Sequence, residues 1–388
     1  MHTILAARTN FSIGESILTV ERMIEEVGKT DAKAIAITDT MSVTAMIDFT
    51  QRAKKADLKP IIGCRLRLVD DSSKRKVKGE KWRQPEYFLT YYVLSEKGLM
   101  ALFKLLSLAN SATHFYFDAK LGFDDLFEAL KDLSADDVAI ASSDAQSVFH
   151  HAKAHEYLSK ISDALSRSNV FCTITPIDTP YWDSLNVKAI EAAKALGLQT
   201  LVTRPVNYGE GEADAAEIMA AISTNTQVSS IWHRSPAHRD ACPLSTTDFV
   251  KEAAKAVKRL IARGMASIDA QSFVKMGLRN TNVLVDMVRF EWKKQPISLP
   301  VMAPNEFAAV VEACKKGWPE RFGDKVFGHR PSNADLAALY KPRLSYELSV
   351  LKTLNFSGYF LLVADVVQFA KNSGILVGPG RGSVWSAP

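Results

Sequence analysis

A glycine-rich segment from Gly378 to Ser383 contains residue types that bind phosphate groups. Glycines allow backbone N–H groups to turn toward an anion, and the guanidinium of Arg381 and the hydroxyl of Ser383 add hydrogen-bond donors. The same glycines also suit a plain turn between two elements, so the segment alone is a weak signal. We interpret it as a candidate phosphate-binding loop.

Two predicted elements lead into this loop and would position it. A helix is predicted from Phe360 to Lys371, and the Asn372-Ser373-Gly374 sequence after it is typical of a helix end. The apolar run Ile375-Leu376-Val377 predicts a short strand directly before the loop. The sequence therefore predicts a helix, a tight turn and a strand that ends in the phosphate-binding loop.

The N-terminal part alternates between helix and strand patterns. Apolar residues in 20–27 recur at helical spacing, and Ala34–Ile37 predicts a buried strand that ends close to Asp39. A second helix is predicted over residues 45–56, before a strand that begins at Lys59–Gly63. This repetition predicts a parallel α/β sheet or barrel, whose chemistry lies at the C-terminal ends of its strands. Further strands are predicted at Val138–Ala141, Val170–Ile174 and Thr200–Val202.

The composition is that of a globular protein with a slight basic excess. Of the 388 residues 47% are hydrophobic and 23% are charged, and the net charge is +5, which is typical of soluble chains with sizeable cores. No apolar run is long enough for a membrane span and the first residues do not resemble a signal peptide, so we expect a cytoplasmic protein. The four cysteines lack CxxC spacing, which argues against a zinc ribbon or disulfide framework.

The segment from Lys74 to Arg83 contains six basic residues and one acidic residue. Together with Trp82 it could contact a nucleic-acid backbone. A solvated loop between two strands explains the same residues, and we favour that interpretation. The charge pattern is therefore weak support for a nucleic-acid partner.

Three segments near the C-terminus resemble, in their order, the start of the palm in bacterial or phage-encoded DNA polymerase III alpha subunits. They are Arg343–Leu348, Asn355–Val363 and Val377–Ser383. Near the N-terminus, Ala36–Asp39 and Lys59–Gly63 resemble the polymerase-and-histidinol-phosphatase (PHP) domain of the same family. Between about residues 70 and 340 the resemblance lies mainly in the order and spacing of elements.

This resemblance implies the fold class and the domain organisation. We expect an α/β chain with a barrel-like PHP-type domain in residues 1–275. A mainly helical linker and the N-terminal part of a truncated palm are expected in residues 276–388. The implied function of the family is template-directed nucleotidyl transfer in DNA replication.

The resemblance also assigns roles to the phosphate-binding loop. Gly380, Arg381, Gly382 and Ser383 would bind the phosphates of an incoming nucleotide. Two-metal phosphoryl transfer needs carboxylates, and the family's aspartates follow this loop, beyond Pro388. We therefore expect an N-terminal fragment that has no catalytic residues and is inactive alone. The complete polymerase would use Mg²⁺, primer-template DNA and dNTPs, with a proofreading exonuclease and a sliding clamp as possible partners and no membrane.

Active PHP domains resemble metal-dependent phosphoesterases, and this chain departs from their ligand pattern. Arg8 lies in the expected His-x-His region, Thr40 replaces a histidine, and Arg65 replaces an acid. Arg204 lies where an Asn-Asp-x-His sequence is expected, so Asp39 is the only surviving ligand-type residue. Guanidiniums repel cations and a lone carboxylate binds divalent ions poorly. We expect a metal-free scaffold that needs no cofactor of its own.

Other residues with ligand chemistry give weaker signals. His151 and His155 have the i,i+4 spacing of a metal site on a predicted helix but lack the glutamate of a His-Glu-x-x-His motif. Cys64 lies near a strand end and is interpreted as a buried structural thiol. Three functions therefore remain under consideration: a polymerase alpha subunit, a metal-dependent phosphoesterase that the lost ligands argue against, and a non-catalytic module that docks replication partners.

Overall fold

A computed structural model describes residues 2–75, 84–230, 240–293, 299–322 and 333–378 of the chain. The chain divides into two compact units, Met1–Trp292 and Lys293–Pro388. The first unit is a mixed β-sheet covered by helices, and the second is helical in its described residues. These observations confirm the predicted α/β class followed by a mainly helical part. The domain boundary predicted after residue 275 stays a prediction.

Nine strands form the sheet of the first unit in its described residues. They are β1 (His2–Ala7), β2 (Ala32–Ile37), β3 (Lys59–Val69), β4 (Tyr87–Val93), β5 (Leu121–Gly122), β6 (Val138–Ala141), β7 (Val170–Ile174), β8 (Gln199–Val202) and β9 (Pro205–Val206). Their order is β8-β7-β6-β4-β3-β2-β1-β9, with β5 paired to β3. Neighbouring strands are parallel, except that β4 is antiparallel to both β3 and β6.

Helices cover the sheet. In the first unit they are α1 (Val20–Gly28), α2 (Met46–Lys55), α3 (Glu96–Ala109), α4 (Phe123–Leu130), α5 (Ala154–Ala164), α6 (Pro180–Leu196), α7 (Ala213–Thr224), α8 (Thr246–Ala262) and α9 (Ser267–Met287). In the second unit they are α10 (Glu306–Phe322), α11 (Asn333–Leu354) and α12 (Ser357–Asn372).

Local sequence explains the first βα repeat. The hydroxyl of Thr19 accepts a hydrogen bond from the Arg22 backbone N–H, which caps the start of α1, while Met23 and Val27 are fully buried. The strand that follows, β2, is buried at every position except Lys33. The predicted helix and strand of this repeat are therefore confirmed, as are the strands predicted at β6, β7 and β8.

The core lies on both faces of the sheet. One face packs its apolar side chains against α1 to α6, with Phe49, Tyr91 and Trp182 among the largest fully buried residues. On the other face, α9 packs closely on β8, since a Cβ on Gly277 would lie only 2.9 Å from Val202 Cγ2. This two-sided burial holds the strand ends in fixed positions.

One prediction for the second unit is wrong. The predicted helix Phe360–Lys371 lies within α12, but residues 375–377 are not a strand, and Leu376 is fully exposed. A strand needs a partner for its backbone groups, and none pairs with these residues in the described part of the chain. The loop from Gly380 to Ser383 lies outside the described residues.

The described helices include no single one that is long and apolar enough to cross a membrane. The pair Ala338–Leu354 and Ser357–Asn372 meets the length and composition criteria only when taken together, and it is bent by 114°.

Candidate functional site: a buried guanidinium–carboxylate centre

Five strands bring polar side chains together at one edge of the sheet. Arg8 follows β1, Asp39 follows β2 and Asn207 follows β9, while Arg65 lies within the long strand β3. Asp144 comes from the loop after β6. Because parallel strands end at the same edge, residues far apart in sequence meet there. We call this cluster, together with Glu15, the guanidinium–carboxylate centre.

Arg8 is held on three sides within the centre. Its Nη2 donates to Asp144 Oδ2 at 2.5 Å, and its Nη1 donates to Asn207 Oδ1 at 3.2 Å. Its Nε lies 3.6 Å from Glu15 Oε2. The Arg8 and Asp144 side chains are only 5% and 3% exposed, so this ion pair is almost completely removed from water. Arg8 Nε has no hydrogen-bond partner among the described residues, so the pair relies on Asn207 and on the nearby charges of Glu15 and Arg65.

Arg65 supplies the second guanidinium. Its Nη2 donates to the Ala145 carbonyl oxygen at 2.6 Å, and its Nη1 donates to Glu15 Oε2 at 3.1 Å. Its Nε lies 3.4 Å from Asp144 Oδ1, so Asp144 contacts both guanidiniums. The Phe88 ring packs under the guanidinium, with 3.6 Å between the carbon Cζ and the ring centroid. Arg65 is thereby fixed by hydrogen bonds, charge and an aromatic face.

Asp39 is bound by hydroxyl and amide donors. Its Oδ1 accepts hydrogen bonds from the Thr9 backbone N–H and the Ser12 hydroxyl, both at 2.6 Å. Its Oδ2 accepts a hydrogen bond from the Thr9 hydroxyl at 2.7 Å. Burial raises the pKa of this carboxyl, and the hydrogen bonds only partly oppose that effect. Hydrogen bonds within the protein therefore take up the acceptor positions of Asp39, the one carboxylate that sequence reasoning identified as a surviving metal ligand.

The pKa of Asp144 is shifted in the opposite direction to that of Asp39. Burial alone would raise its pKa, but the charges of Arg8 and Arg65 and the hydrogen bond from Arg8 outweigh it, so the pKa lies below the ordinary value. The ionised carboxylate is thus the form that the folded protein favours. The centre consequently contains two cations balanced mainly by Asp144 and by the partly exposed Glu15.

The remaining ligand-type positions do not complete a metal site. Thr40 donates through its hydroxyl to Glu15 Oε2 at 3.0 Å. Arg204 lines a separate narrow cleft with Cys242 and Phe249. Among the residues that the structure describes, no group of three or more histidine, cysteine or acidic side chains is arranged to hold a metal ion. The residues of this edge do not fit the metal cluster of an active PHP domain, because guanidiniums lie among the acids.

The two histidines predicted at helical spacing are not on one helix. His151 precedes α5, and its Nε2 lies 2.8 Å from Asp70 Oδ1, with the Tyr87 and Tyr157 rings packed around it. His155 lies within α5. The spacing was misleading because the helix begins only at Ala154. His151 is a packed, hydrogen-bonded residue.

Cys64 is a buried thiol, as predicted. Burial raises its pKa to about 12, and its Sγ donates to the Asp39 carbonyl oxygen at 3.3 Å. A thiol with this pKa is protonated at neutral pH and is therefore a poor nucleophile or ligand.

Sequence reasoning missed Asp144 and Glu15. Asp144 follows the correctly predicted strand β6 by three residues, so the rule that site residues follow strand ends could have found it. Glu15 lies in the irregular segment between β1 and α1, where no periodicity marks it. Only the three-dimensional contacts identify Glu15 as a partner of Arg65.

Comparison with known proteins agrees with this architecture. Residues 5–176 match the family model of the PHP domain, and residues 308–387 match that of the bacterial DNA polymerase III alpha NTPase domain. DNA polymerase III subunit alpha of Yersinia pestis is 29% identical over 391 residues, which cover 98% of this chain and 32% of that protein. The Rickettsia felis protein of the same name is 24% identical over an aligned region that covers 98% of this chain and 30% of that protein.

A solved structure of an amidohydrolase from Chromobacterium violaceum has a TM-score of 0.37 and 12% identity, and covers 55% of this chain and 89% of that chain. The chain spans about a third of the length of the polymerase subunits that it matches. It is homologous to the N-terminal region of bacterial DNA polymerase III alpha subunits, comprising the PHP domain and the start of the NTPase domain.

Proposed function

We propose that the chain forms the N-terminal part of a replicative DNA polymerase III alpha subunit, and that its PHP domain is a metal-free structural domain. The observation that carries the second half is the pair of buried guanidiniums, Arg8 and Arg65, among the acids of the centre. Nucleotidyl transfer is the activity of the complete polymerase, with Mg²⁺ as its cofactor and primer-template DNA and dNTPs as its substrates.

The chemistry of arginine supports a structural rather than catalytic centre. A guanidinium keeps its charge throughout the accessible pH range and cannot be removed by a chelator. It also cannot coordinate a water molecule and lower its pKa, as a bound metal does. Arg8 and Arg65 would therefore hold the strand ends together without metal-dependent phosphoesterase activity.

Metal content and thermal stability test this proposal. We expect the purified chain to contain no stoichiometric Mn²⁺ or Zn²⁺ by mass spectrometry, and EDTA to leave its unfolding temperature unchanged. Hydrolysis of p-nitrophenyl phosphate should be the same with and without Mn²⁺. A stoichiometric metal, or Mn²⁺-dependent hydrolysis that Asp39→Asn abolishes, would favour the phosphoesterase instead.

We also propose that Gly380, Arg381, Gly382 and Ser383 bind the phosphates of a dNTP. The pattern of donors in this loop and its match to the family support the assignment. Arg381→Ala should weaken binding of dATP in calorimetry, whereas Arg343→Ala, which removes an exposed pair with Glu347, serves as the control. Equal dATP affinity of the two variants would contradict the assignment.

A second candidate function is docking of a replication partner, such as a proofreading exonuclease or a sliding clamp. Ile13 is 92% exposed and Ile222 is 76% exposed. The segments that carry them touch, because the Ser223 hydroxyl donates to the Gly14 carbonyl oxygen at 3.3 Å. Contiguous exposed apolar patches mark interaction surfaces, and these two isoleucines are the candidates for such a patch.

Pull-down of the cognate exonuclease by the full chain tests docking. Ile13→Asp combined with Ile222→Asp should reduce capture, while Ile268→Asp, on α9 and 75% exposed, should not. Undiminished capture by the double variant would exclude this surface. Absence of capture by the unmodified chain would exclude the exonuclease as partner.

A further inference from the structure

A cavity of about 700 Å³ opens at the edge of the sheet opposite to the guanidinium–carboxylate centre. The end of α2, the first residues of β3 and the segment Val288–Trp292 after α9 form its walls. Cavities of roughly 300–1,000 Å³ are the usual size of small-molecule sites. This cavity belongs entirely to the first unit, whereas the predicted phosphate-binding loop belongs to the second.

The inner wall of the cavity is apolar and partly aromatic. Leu58 and Ile62 are buried, and Phe290 and Trp292 are partly buried and pack against the main core. The segment that carries both rings is anchored, because the backbone N–H groups of Arg289 and Phe290 donate to the Leu94 carbonyl oxygen at 3.0 and 2.7 Å. Aromatic side chains on an anchored segment offer a stacking surface for a planar ring.

The lining of the cavity is basic. It contains Lys33, Lys54, Lys59 and Arg289 against two acids, Asp57 and Glu291. A concave surface with one excess sign of charge concentrates ligands of the opposite sign. The cavity is therefore suited to an anion.

Two of these cations are already engaged. Lys59 Nζ donates to the carbonyl oxygens of Val285 and Val288 at 2.6 and 3.1 Å, which satisfies the end of α9. Lys54 Nζ lies 2.5 Å from Glu291 Oε1. These contacts shape the wall of the cavity and leave the recognition of a ligand to the other two cations.

Lys33 and Arg289 remain available. Lys33 has no acidic partner within 4.0 Å in the described part of the chain. Arg289 Nη1 lies 3.5 Å from Asp136 Oδ1. Both side chains are about three-quarters exposed, at 74% and 75%, so this ion pair is weak and exchangeable. Both cations can therefore take a phosphate without breaking a buried ion pair.

We propose that this cavity binds a nucleoside phosphate, with the base against Phe290 and Trp292 and the phosphate near Lys33 and Arg289. The combination of an aromatic wall with available cations favours this class over a purely apolar ligand or a free inorganic anion. The residues that line the cavity do not include those of the loop from Gly380 to Ser383, and the proposal does not depend on the proposed polymerase role.

Calorimetry on the full 388-residue chain tests the proposal with AMP as the probe. AMP should bind with an affinity that calorimetry detects, and adenosine and inorganic phosphate should each bind about tenfold or more weakly, because each lacks one half of the recognition. No detectable binding of AMP at millimolar concentration would overturn the proposal. Equal affinity for phosphate would overturn the role of the aromatic wall.

Variants locate the site. Lys33→Glu and Arg289→Glu should each weaken AMP binding about tenfold, since each replaces an attraction by a repulsion. Lys55→Glu changes an exposed lysine of α2 outside the cavity and should leave the affinity within about twofold. Arg381→Ala tests whether AMP binds instead at the loop of Gly380 to Ser383. Loss of AMP binding in Arg381→Ala but not in Lys33→Glu would place the nucleotide elsewhere and refute this site.

A direct readout complements the affinities. Irradiation of the chain with 8-azido-AMP should label a peptide that contains Phe290 and Trp292. Excess AMP should suppress this label, and Lys33→Glu should reduce it. Labelling confined to other peptides would contradict the proposed orientation of the base.

Discussion

At the scale of single residues, Arg65 carries a permanent charge in the protein interior, and its neighbours surround that charge. Its donors reach the Ala145 carbonyl oxygen and Glu15, its Nε lies near Asp144, and the Phe88 ring covers one face. Lysine has neither the planar shape nor the number of donors to make these contacts together. The identity of the residue, and not only its charge, therefore determines the geometry of the centre.

Replacing Arg65 by methionine should destabilise the fold strongly. The change leaves the buried Asp144 and the partly buried Glu15 with one cation fewer, and breaking a buried ion pair in this way costs about 3–5 kcal/mol. Urea denaturation at pH 7 measures the free energy of unfolding. Arg52→Met is the matched control, because Arg52 pairs with Glu21 and Asp48 on the surface, and we expect it to have little effect. Comparable losses in the two variants would contradict a structural role for the centre.

The pKa of Asp144 predicts a pH dependence with a definite sign. Because the folded state lowers this pKa below 3.8, the ionised Asp144 stabilises the fold above that pH. The contribution is lost as the pH falls through the lower pKa of the folded state. Asp144→Asn should therefore be less stable than the unmodified chain at pH 7, and the difference should narrow below about pH 3.8. A difference in unfolding free energy that stays constant from pH 7 to pH 3 would refute this linkage.

The sequence could predict part of this centre and not the rest. Asp39 stands where the family pattern and the strand-end rule both direct attention, and Arg8 and Arg65 stand where the family pattern does. Neither criterion specifies which acid will balance an arginine, because that depends on how the loops after β1 and β6 fold back. The pairing of Arg65 with Glu15 joins residues fifty positions apart, and no local pattern encodes it.

At the scale of elements, β4 is an interior strand whose bounds were not predicted. All seven of its residues are buried, like those of the correctly predicted β6 and β7, but four of the seven are tyrosine or threonine, so the segment is not a continuous apolar run. The opposite error occurred at residues 375–377, where an apolar run suggested a strand but no neighbouring strand pairs with it in the described residues. Pairing is a property of the fold, and hydropathy along one segment does not contain it.

The start of α3 depends on a close backbone approach. A Cβ on Gly98 would overlap the carbonyl oxygen of Asp137, and the Tyr91 hydroxyl donates to the Gly98 carbonyl oxygen at 2.8 Å. Gly98→Ala should therefore destabilise the fold by about 1–3 kcal/mol through forced movement of the backbone. Gly28→Ala is the control, because nothing lies within 4 Å of the position its Cβ would take. Thermal unfolding measures both, and equal unfolding temperatures would show that α3 can shift at no cost.

At the scale of the molecule, the sheet and its cores lie within the first compact unit. The core on the second face includes Leu284, Val285 and Val288, which lie at the end of α9 and just after it. A chain that stops before them would expose the side chains that they cover, among them Phe171 and Leu201. We therefore expect the end of α9 to unfold together with the sheet.

Two truncations test where that unit ends. A chain of residues 1–292 should be soluble and unfold cooperatively, since the contacts of the first unit are complete within it. A chain of residues 1–275, cut inside α9, should aggregate or unfold at a lower temperature because apolar surface is uncovered. Equal unfolding temperatures of the two chains would instead support the boundary predicted after residue 275.

Among the described strands β4 alone runs in the reverse direction, and this has a consequence for the edge of the sheet where the cavity opens. Strands β2 and β3 begin at that edge, whereas the antiparallel β4 ends there. Because β4 runs in this direction, the Leu94 carbonyl lies at this edge. There it accepts hydrogen bonds from two N–H groups of the segment after α9. Reversing one strand thus gives the two edges different roles, since side chains from strand ends gather at one edge and a backbone carbonyl anchors a returning segment at the other.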